Sequence, residues 1–128
     1  LMKIYGIGTD IANISRIKNL IKNKKFLTRI FSKIEMSKCN QQINKANCFA
    51  KRFAAKEAFS KALGTGISKG LNFKEILVYN TRSGKPQIKI LGESSKLVSK
   101  IFKKKKYNIF LSLSDDKPFA VATVVISI

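Results

Sequence analysis

Glu57 stands where a buried apolar residue would continue a pattern. Phe49, Phe53, Glu57 and Lys61 recur at steps of four, the spacing that stacks side chains on one helix face. Two aromatics open this stripe; a carboxylate and an ammonium continue it. The neighbouring stripe, Arg52, Lys56 and Ser60, repeats the same step. Ala54, Ala55, Ala58 and Ala62 keep the surroundings small, so another segment of chain could approach closely. On the helix alone, Glu57 and Lys61 read equally well as a surface ion pair worth roughly a few tenths of a kcal/mol. The local company changes that reading. Three cations and a hydroxyl surround one acid, and Gly64-Thr65-Gly66 follows with glycine-freed amides. Such groups are phosphate-binding equipment. A carboxylate fits among them when a divalent cation lies between acid and phosphate. Mg²⁺ suits this role, because it binds through one or two carboxylates plus waters and substrate phosphates.

Asp10 is the candidate second carboxylate. A strand is predicted over residues 3–9, and Ile4, Gly6, Gly8 and Asp10 share one of its faces by period two. The two glycines leave space beside Asp10. The same residues also fit a glycine-weakened edge strand that ends in an Asp helix cap. Periodicity does not bring Asp10 and Glu57 together.

The rest of the composition limits the chemistry. The chain has 128 residues, 26 Lys plus Arg, 7 Asp plus Glu and no histidine, for a net charge of +19. The missing histidine excludes a Ser-His-Asp triad, a Cys-His dyad and a His zinc site. The charge favours acidic partners, although a lysine-heavy composition accounts for much of it. Only 4 of the basic residues are arginine, Arg16, Arg29, Arg52 and Arg82, and these are candidates for sites that need a rigid bidentate fork. Cys39 and Cys48 are too few for a disulfide scaffold and lack CxxC spacing, so free thiols in a reducing compartment are expected. No apolar run reaches membrane-spanning length, and the N-terminus lacks a signal-peptide layout, which predicts a cytoplasmic protein. Leu1, ahead of Met2, reads as an added remnant or a mis-assigned start and is set aside.

The positioning elements follow from periodicity. Helices are predicted at 13–22 and 26–36, with Lys24 and Lys25 in the loop between them and a polar connection over 37–45. The longest helix spans 46–63, beginning near Asn44 or Asn47 and stopping at Gly64-Thr-Gly66. Strands are predicted at 74–80 and 86–91, joined through Ser83-Gly84, and at 108–114 and 119–127, with a helix at 93–103. The Lys103–Lys106 run reads as a solvated helix end. The order predicts one α+β domain over residues 2–128, with an antiparallel sheet packed against the long central helix.

Gly6-Ile-Gly-Thr-Asp10-Ile, Arg52-Phe-Ala-Ala-Lys56-Glu57-Ala-Phe-Ser-Lys61-Ala-Leu-Gly64-Thr-Gly66, Gly84-Lys85-Pro86 and Ser112-Leu-Ser114 together resemble the holo-[acyl-carrier-protein] synthases. These are the small, bacterial-type 4'-phosphopantetheinyl transferases, and the resemblance covers residues 2–128. It implies transfer of the phosphopantetheine arm of coenzyme A to a serine of apo acyl carrier protein, in support of fatty acid synthesis, with release of adenosine 3',5'-bisphosphate. It implies that Asp10 and Glu57 bind Mg²⁺ at the coenzyme A pyrophosphate. The serine proton would pass to a metal-bound water or directly to Glu57, and Lys61 would stabilise or protonate the leaving phosphate. Arg52, Lys56, Ser60, Lys61, Gly64, Thr65 and Gly66 would line the coenzyme, with Lys85, Pro86 and Ser114 towards its nucleotide end. It further implies a homotrimer with active sites between subunits.

Many members carry a histidine after the segment matching Ser112–Ser114, where this chain has Asp115-Asp116. An acid near a phosphate needs an intervening cation, so Asp115 either points away or contacts a ligand hydroxyl or base. Acyl carrier proteins are acidic, and Arg16, Lys22, Lys25 and Arg29, with Phe26 as apolar anchor, would form the docking face. Ile30 could join Phe26 there or pack in the core.

Three rival readings differ in class. A nucleic-acid module would use the charge but lacks the common basic-aromatic motifs and leaves Asp10 and Glu57 unexplained. A transferase for polyketide or peptide synthetase carriers would be about twice this length in its broad-specificity form. A coenzyme-binding homologue without catalysis is disfavoured by the intact Asp10, Glu57 and Lys61. Nucleic acid and membrane are therefore not expected partners.

Overall fold

The computed structural model describes residues 2–67 and 69–128. β1 runs Ile4–Asn13, longer than its apolar pattern suggested, because its pairing with β5 (Phe119–Ser127) continues to Asn13 opposite Phe119. Asp10 therefore lies within the strand, opposite Ala122, and does not cap a helix. Asn13 takes that role: its side chain accepts from the Arg16 amide at 3.1 Å and opens α1, Ile14–Leu20.

The helix expected at 26–36 is two helices. α2 is Lys24–Ile30, capped by Asn23, so Lys24 and Lys25 stand in its first turn and not in a loop. Phe31 is extended, with φ −114 and ψ 140. Ser32 and Glu35 then form a reciprocal capping box that starts α3, Lys33–Asn40, inside the segment expected as a connection. α4 spans Lys45–Leu63 and ends on Gly64 in the left-handed conformation at φ 90.

A single 3-10 turn, Phe73–Glu75, leads into β2 (Ile76–Asn80), which pairs antiparallel with β3 (Pro86–Ile90) as a separate two-stranded sheet. α5 is Gly92–Ile101; Glu75 caps it by accepting from the Glu93 and Ser94 amides, both at 3.1 Å. β4, Asn108–Asp116, completes the main sheet in the order β1-β5-β4, antiparallel throughout. This is the expected α+β architecture.

α4 lies across the inner face of that sheet. Ala54, Ala58 and Ala62 of the helix meet Ala120, Ala122, Val124 and Ile126 of β5, all buried. At Gly6 and Gly8 the helix comes nearest: a Cβ on Gly6 would overlap the Ala62 carbonyl oxygen, and one on Gly8 the Ala58 carbonyl oxygen. The outer sheet face is uncovered. Ile7 is 65% exposed, Ile11 60%, and Phe110 and Phe119 44% each. The expectation of free thiols is corrected: Cys39 at the end of α3 is disulfide-bonded to Cys48 in the first turns of α4. Their wide sequence spacing hid a pairing that the helix-to-helix packing creates.

Candidate active site

β1 runs along α4, so the residue two beyond Gly8 reaches the helix's polar stripe. There Lys61 Nζ donates to Asp10 Oδ1 at 2.9 Å and to the Thr9 carbonyl at 3.0 Å. Helix side chains lean towards the N-terminus, which carries Lys61 back over the turn bearing Glu57. Burial raises the Glu57 carboxyl above the usual carboxylate range, the Asp10 charge adds to this, and Lys61 opposes it. A carboxyl whose ionisation is opposed by a neighbouring carboxylate is a group that a cation would favour. Among the described residues no three or more His, Cys, Asp or Glu side chains gather into a metal-binding group. The donor set therefore suits an ion that takes its remaining ligands from water and phosphate, and Mg²⁺ is such an ion.

A second polar region occupies the other side of α4. Glu57 and Arg52 are five positions apart, roughly 140° around the helix. Arg52 is buried to 5% exposure. Its Nη2 donates to Asn80 Oδ1 at 2.8 Å and its Nη1 to Cys48 Sγ at 3.2 Å. It lines a cavity of about 940 Å³ together with Asn47, Lys51, Arg82, Pro86 and Asp115. Arg52 Nε and Asn47 Oδ1 are buried there without partners. A ligand offering both an acceptor and a donor would satisfy these two groups. Asp115 is fully engaged: it accepts from Lys51 Nζ at 2.6 Å and from Asn47 Nδ2 at 2.8 Å. These two bonds hold its carboxyl below the usual range. It faces the cations of α4, which answers the electrostatic objection to an acid at this position.

Several residues expected to line the coenzyme have partners within the protein. Lys56 is fully buried; its Nζ donates to Glu35 Oε1 and to the Phe73 carbonyl, both at 2.7 Å. Burial draws this ammonium down from its ordinary value and Glu35 opposes the shift. Glu35 also accepts from the Ser32 and Val78 amides, each at 2.9 Å. Lys56 thus ties α3, α4 and β2 together behind the site. Ser60 is buried and donates to the Glu57 carbonyl at 2.7 Å. The amides of Gly64 and Gly66 were expected to be free, but both donate to the Ser60 carbonyl, at 3.0 and 3.3 Å. A helix C-terminus spends such amides on its own last carbonyls. Thr65 donates to the Gly66 carbonyl at 2.9 Å.

Lys85 is exposed on the β2–β3 turn, beside Pro86. Ser114 lies opposite Val121 and is exposed on the outer face of the main sheet, away from Glu57. Arg16, Lys22, Lys25 and Arg29 are exposed along α1, α2 and their connection. Phe26 is half-buried between Phe31 and Phe53, with ring centroids at 6.4 and 6.2 Å, and Ile30 is core at 1% exposure. Lys51 and Asn80 were not singled out in the sequence, since nothing in their spacing marks them, and Asn47 was marked only as a possible start of the long helix. Arg82 was visible as one of few arginines. Glu35 was legible only as the far half of Ser-x-x-Glu.

The geometry has close relatives. Residues 6–124 match the model of the 4'-phosphopantetheinyl transferase superfamily. The holo-[acyl-carrier-protein] synthase of Pelagibacter ubique is 47% identical over 125 residues, covering 98% of each chain. The crystal structure of the Neisseria meningitidis holo-[acyl-carrier-protein] synthase superposes with a TM-score of 0.86 at 38% identity, over 97% of this chain and 98% of that one. The Helicobacter pylori enzyme, solved in complex with coenzyme A, gives 0.79 at 34% identity over 94% and 98%.

Proposed function

Since the chain belongs to the holo-[acyl-carrier-protein] synthases of the 4'-phosphopantetheinyl transferase superfamily, we propose that it moves phosphopantetheine from coenzyme A to a serine of apo acyl carrier protein. The proposal includes Mg²⁺ dependence, a cytoplasmic setting, a role in fatty acid synthesis and a single domain over residues 2–128. The observation that carries it is the convergence of Asp10, Glu57 and Lys61 where β1 meets α4. The relative from Helicobacter pylori, crystallised with coenzyme A, supports the donor.

In the reaction, the serine oxygen forms a bond to the phosphorus that carries pantetheine. The bond from that phosphorus to the bridging oxygen breaks, and adenosine 3',5'-bisphosphate leaves. Glu57, whose carboxyl is raised by burial and by the Asp10 charge, takes the serine proton as general base. Lys61 exchanges its bond to Asp10 for one to the leaving phosphate and stabilises its charge. Held by Asp10 and Glu57, Mg²⁺ would neutralise charge on the pyrophosphate. Arg52 and its cavity take the nucleotide end, with Lys85 and Pro86 contributing around it, while Ser114, on the outer sheet face, would contribute only to a coenzyme bound between subunits. Thr65 borders the arm, while Lys56, Ser60, Gly64 and Gly66 hold the framework behind.

The exposed cations Arg16, Lys22, Lys25 and Arg29, with Phe26, receive the acidic carrier. The uncovered apolar sheet face supports a homotrimer, and the two polar regions on different sides of α4 support active sites completed between subunits. Intact-mass spectrometry of apo carrier protein tests the reading. Incubation with this protein, coenzyme A and Mg²⁺ adds one phosphopantetheine, and EDTA prevents it. No gain on a carrier that a known synthase modifies would reject the proposed reaction for that carrier.

A further inference from the structure

The cleft between α1, the start of α4 and the β4–β5 turn differs in chemistry from the polar cavity at Arg52. It encloses about 710 Å³, within the size range of small-molecule sites. Its walls are apolar: Ile14, Ile21, Leu27, Ala46, Phe49 and Pro118. Ile14, Ile21 and Leu27 are only partly buried, so this surface is left open by the fold. Lys18, Lys22, Lys45 and Lys117 stand around it, all exposed. No Asp or Glu lines it. α4 begins at this cleft with Lys45; the Asn44 side chain caps it by accepting from the Asn47 amide at 3.4 Å, and no acid stands in its first turn, so the positive end of a 19-residue helix meets the same space without a countering charge. None of the buried unpartnered polar atoms belongs to a residue lining it. Ser15, Asn40 and Asn44 are the uncharged polar side chains of the lining; the rest is apolar burial below a ring of positive charge.

We propose that this cleft binds a single-chain anionic amphiphile, a long-chain fatty carboxylate. The alkyl chain lies along Ile14, Ile21 and Leu27, and the carboxylate sits at the α4 N-terminus among Lys18, Lys45 and Lys117. The inference is independent of the transfer chemistry, since it uses none of Asp10, Glu57, Lys61 or Arg52; of the proposed carrier-docking residues only Lys22 borders the cleft.

The test is isothermal titration of the whole protein with laurate, kept below its critical micelle concentration, against dodecanol and acetate. Saturable laurate binding at one site per chain is expected, with acetate silent and dodecanol about tenfold weaker, the size of effect that one well-placed charge contact gives. The Lys18→Glu/Lys45→Glu variant, both positions on the surface, loses about tenfold in laurate affinity and keeps its dodecanol affinity. Amide NMR shifts on laurate addition cluster at Ile14, Ile21 and Ala46. Absence of saturable binding overturns the proposal. So does equal binding of laurate and dodecanol, an unchanged laurate affinity in the variant, or shifts that map to another surface.

Discussion

Glu57 carries the sharpest expectation at the scale of single residues. Its carboxyl is raised by burial and by Asp10, so folding favours its protonated form. The stability this group gives is fully present below its unfolded pKa and is lost as pH rises through the higher folded value. Glu57→Gln should therefore raise the melting temperature of the metal-free protein at neutral pH while lowering transfer by about 100-fold or more. A melting temperature that falls would contradict the crowded-carboxylate description. Mg²⁺ affinity of the unaltered protein should decline as pH drops, because protons compete for the same oxygens; calorimetry at several pH values reads this directly. Lys56 gives the opposite kind of expectation. Removing its charge with Lys56→Met strands Glu35 in the core, at a cost of about 3–5 kcal/mol, measurable by urea unfolding. Glu35→Gln added to it should recover part of that loss. A stable Lys56→Met protein with a raised KM for coenzyme A would instead return Lys56 to the ligand. Spacing and residue type marked Asp10, Glu57 and Lys61 as candidates, but the meeting of Asp10 with Lys61 is made by the packing of β1 on α4. The burial of Lys56 was not legible, because its partner lies 21 residues upstream on a helix that periodicity had merged with its neighbour.

At the scale of elements, the site depends on how closely β1 approaches α4. Gly6 and Gly8 permit backbone contact with Ala62 and Ala58, and that contact sets the height at which Asp10 meets Lys61. Gly8→Ala should force strand and helix apart, at about 1–3 kcal/mol, with a larger proportional loss of activity than of stability, since catalytic groups tolerate little displacement. Comparing kcat with unfolding free energy separates the two effects; loss of stability with unchanged kcat would show that Asp10 does not need this approach. The disulfide between α3 and α4 closes a short loop with a sequence separation of 9. Reduction, or Cys39→Ser with Cys48→Ser, should lower stability by about 2–3 kcal/mol. Alkylation of the native, unreduced protein should add no mass; two added groups would show free thiols. Strand and helix types were readable from period and punctuation. The split of 26–36 was missed although Ser32-x-x-Glu35 announced it, because the apolar spacing ran smoothly across the junction. The length of β1 was unreadable for a different reason: residues 10–13 owe their extended form to pairing with β5, a contact between distant parts of the chain.

At the scale of the molecule, two observations support the proposed assembly of chains. The outer sheet face aligns Ile7, Val125 and Phe110 in one row and Ile11, Val121 and Ser114 in another, and it leaves large apolar side chains in water. Such a face is characteristic of an interface. The carboxylate pair and the Arg52 cavity, meanwhile, occupy different sides of α4, so one coenzyme bridging both is easier to place between two chains than on one. If the proposed trimer joins Glu57 of one subunit to Arg52 of the next, two inactive variants should complement each other. Glu57→Gln and Arg52→Ala chains, unfolded together at equal amounts and refolded, should recover about one quarter of wild-type sites. That is the fraction of cyclic interfaces that pair an intact Glu57 with an intact Arg52. Ile7→Glu in either chain should abolish the recovery by opposing burial of the outer face, while circular dichroism shows the fold retained. If each chain instead supplies its whole site, the mixture has no more activity than the two variants separately, whatever its oligomeric state.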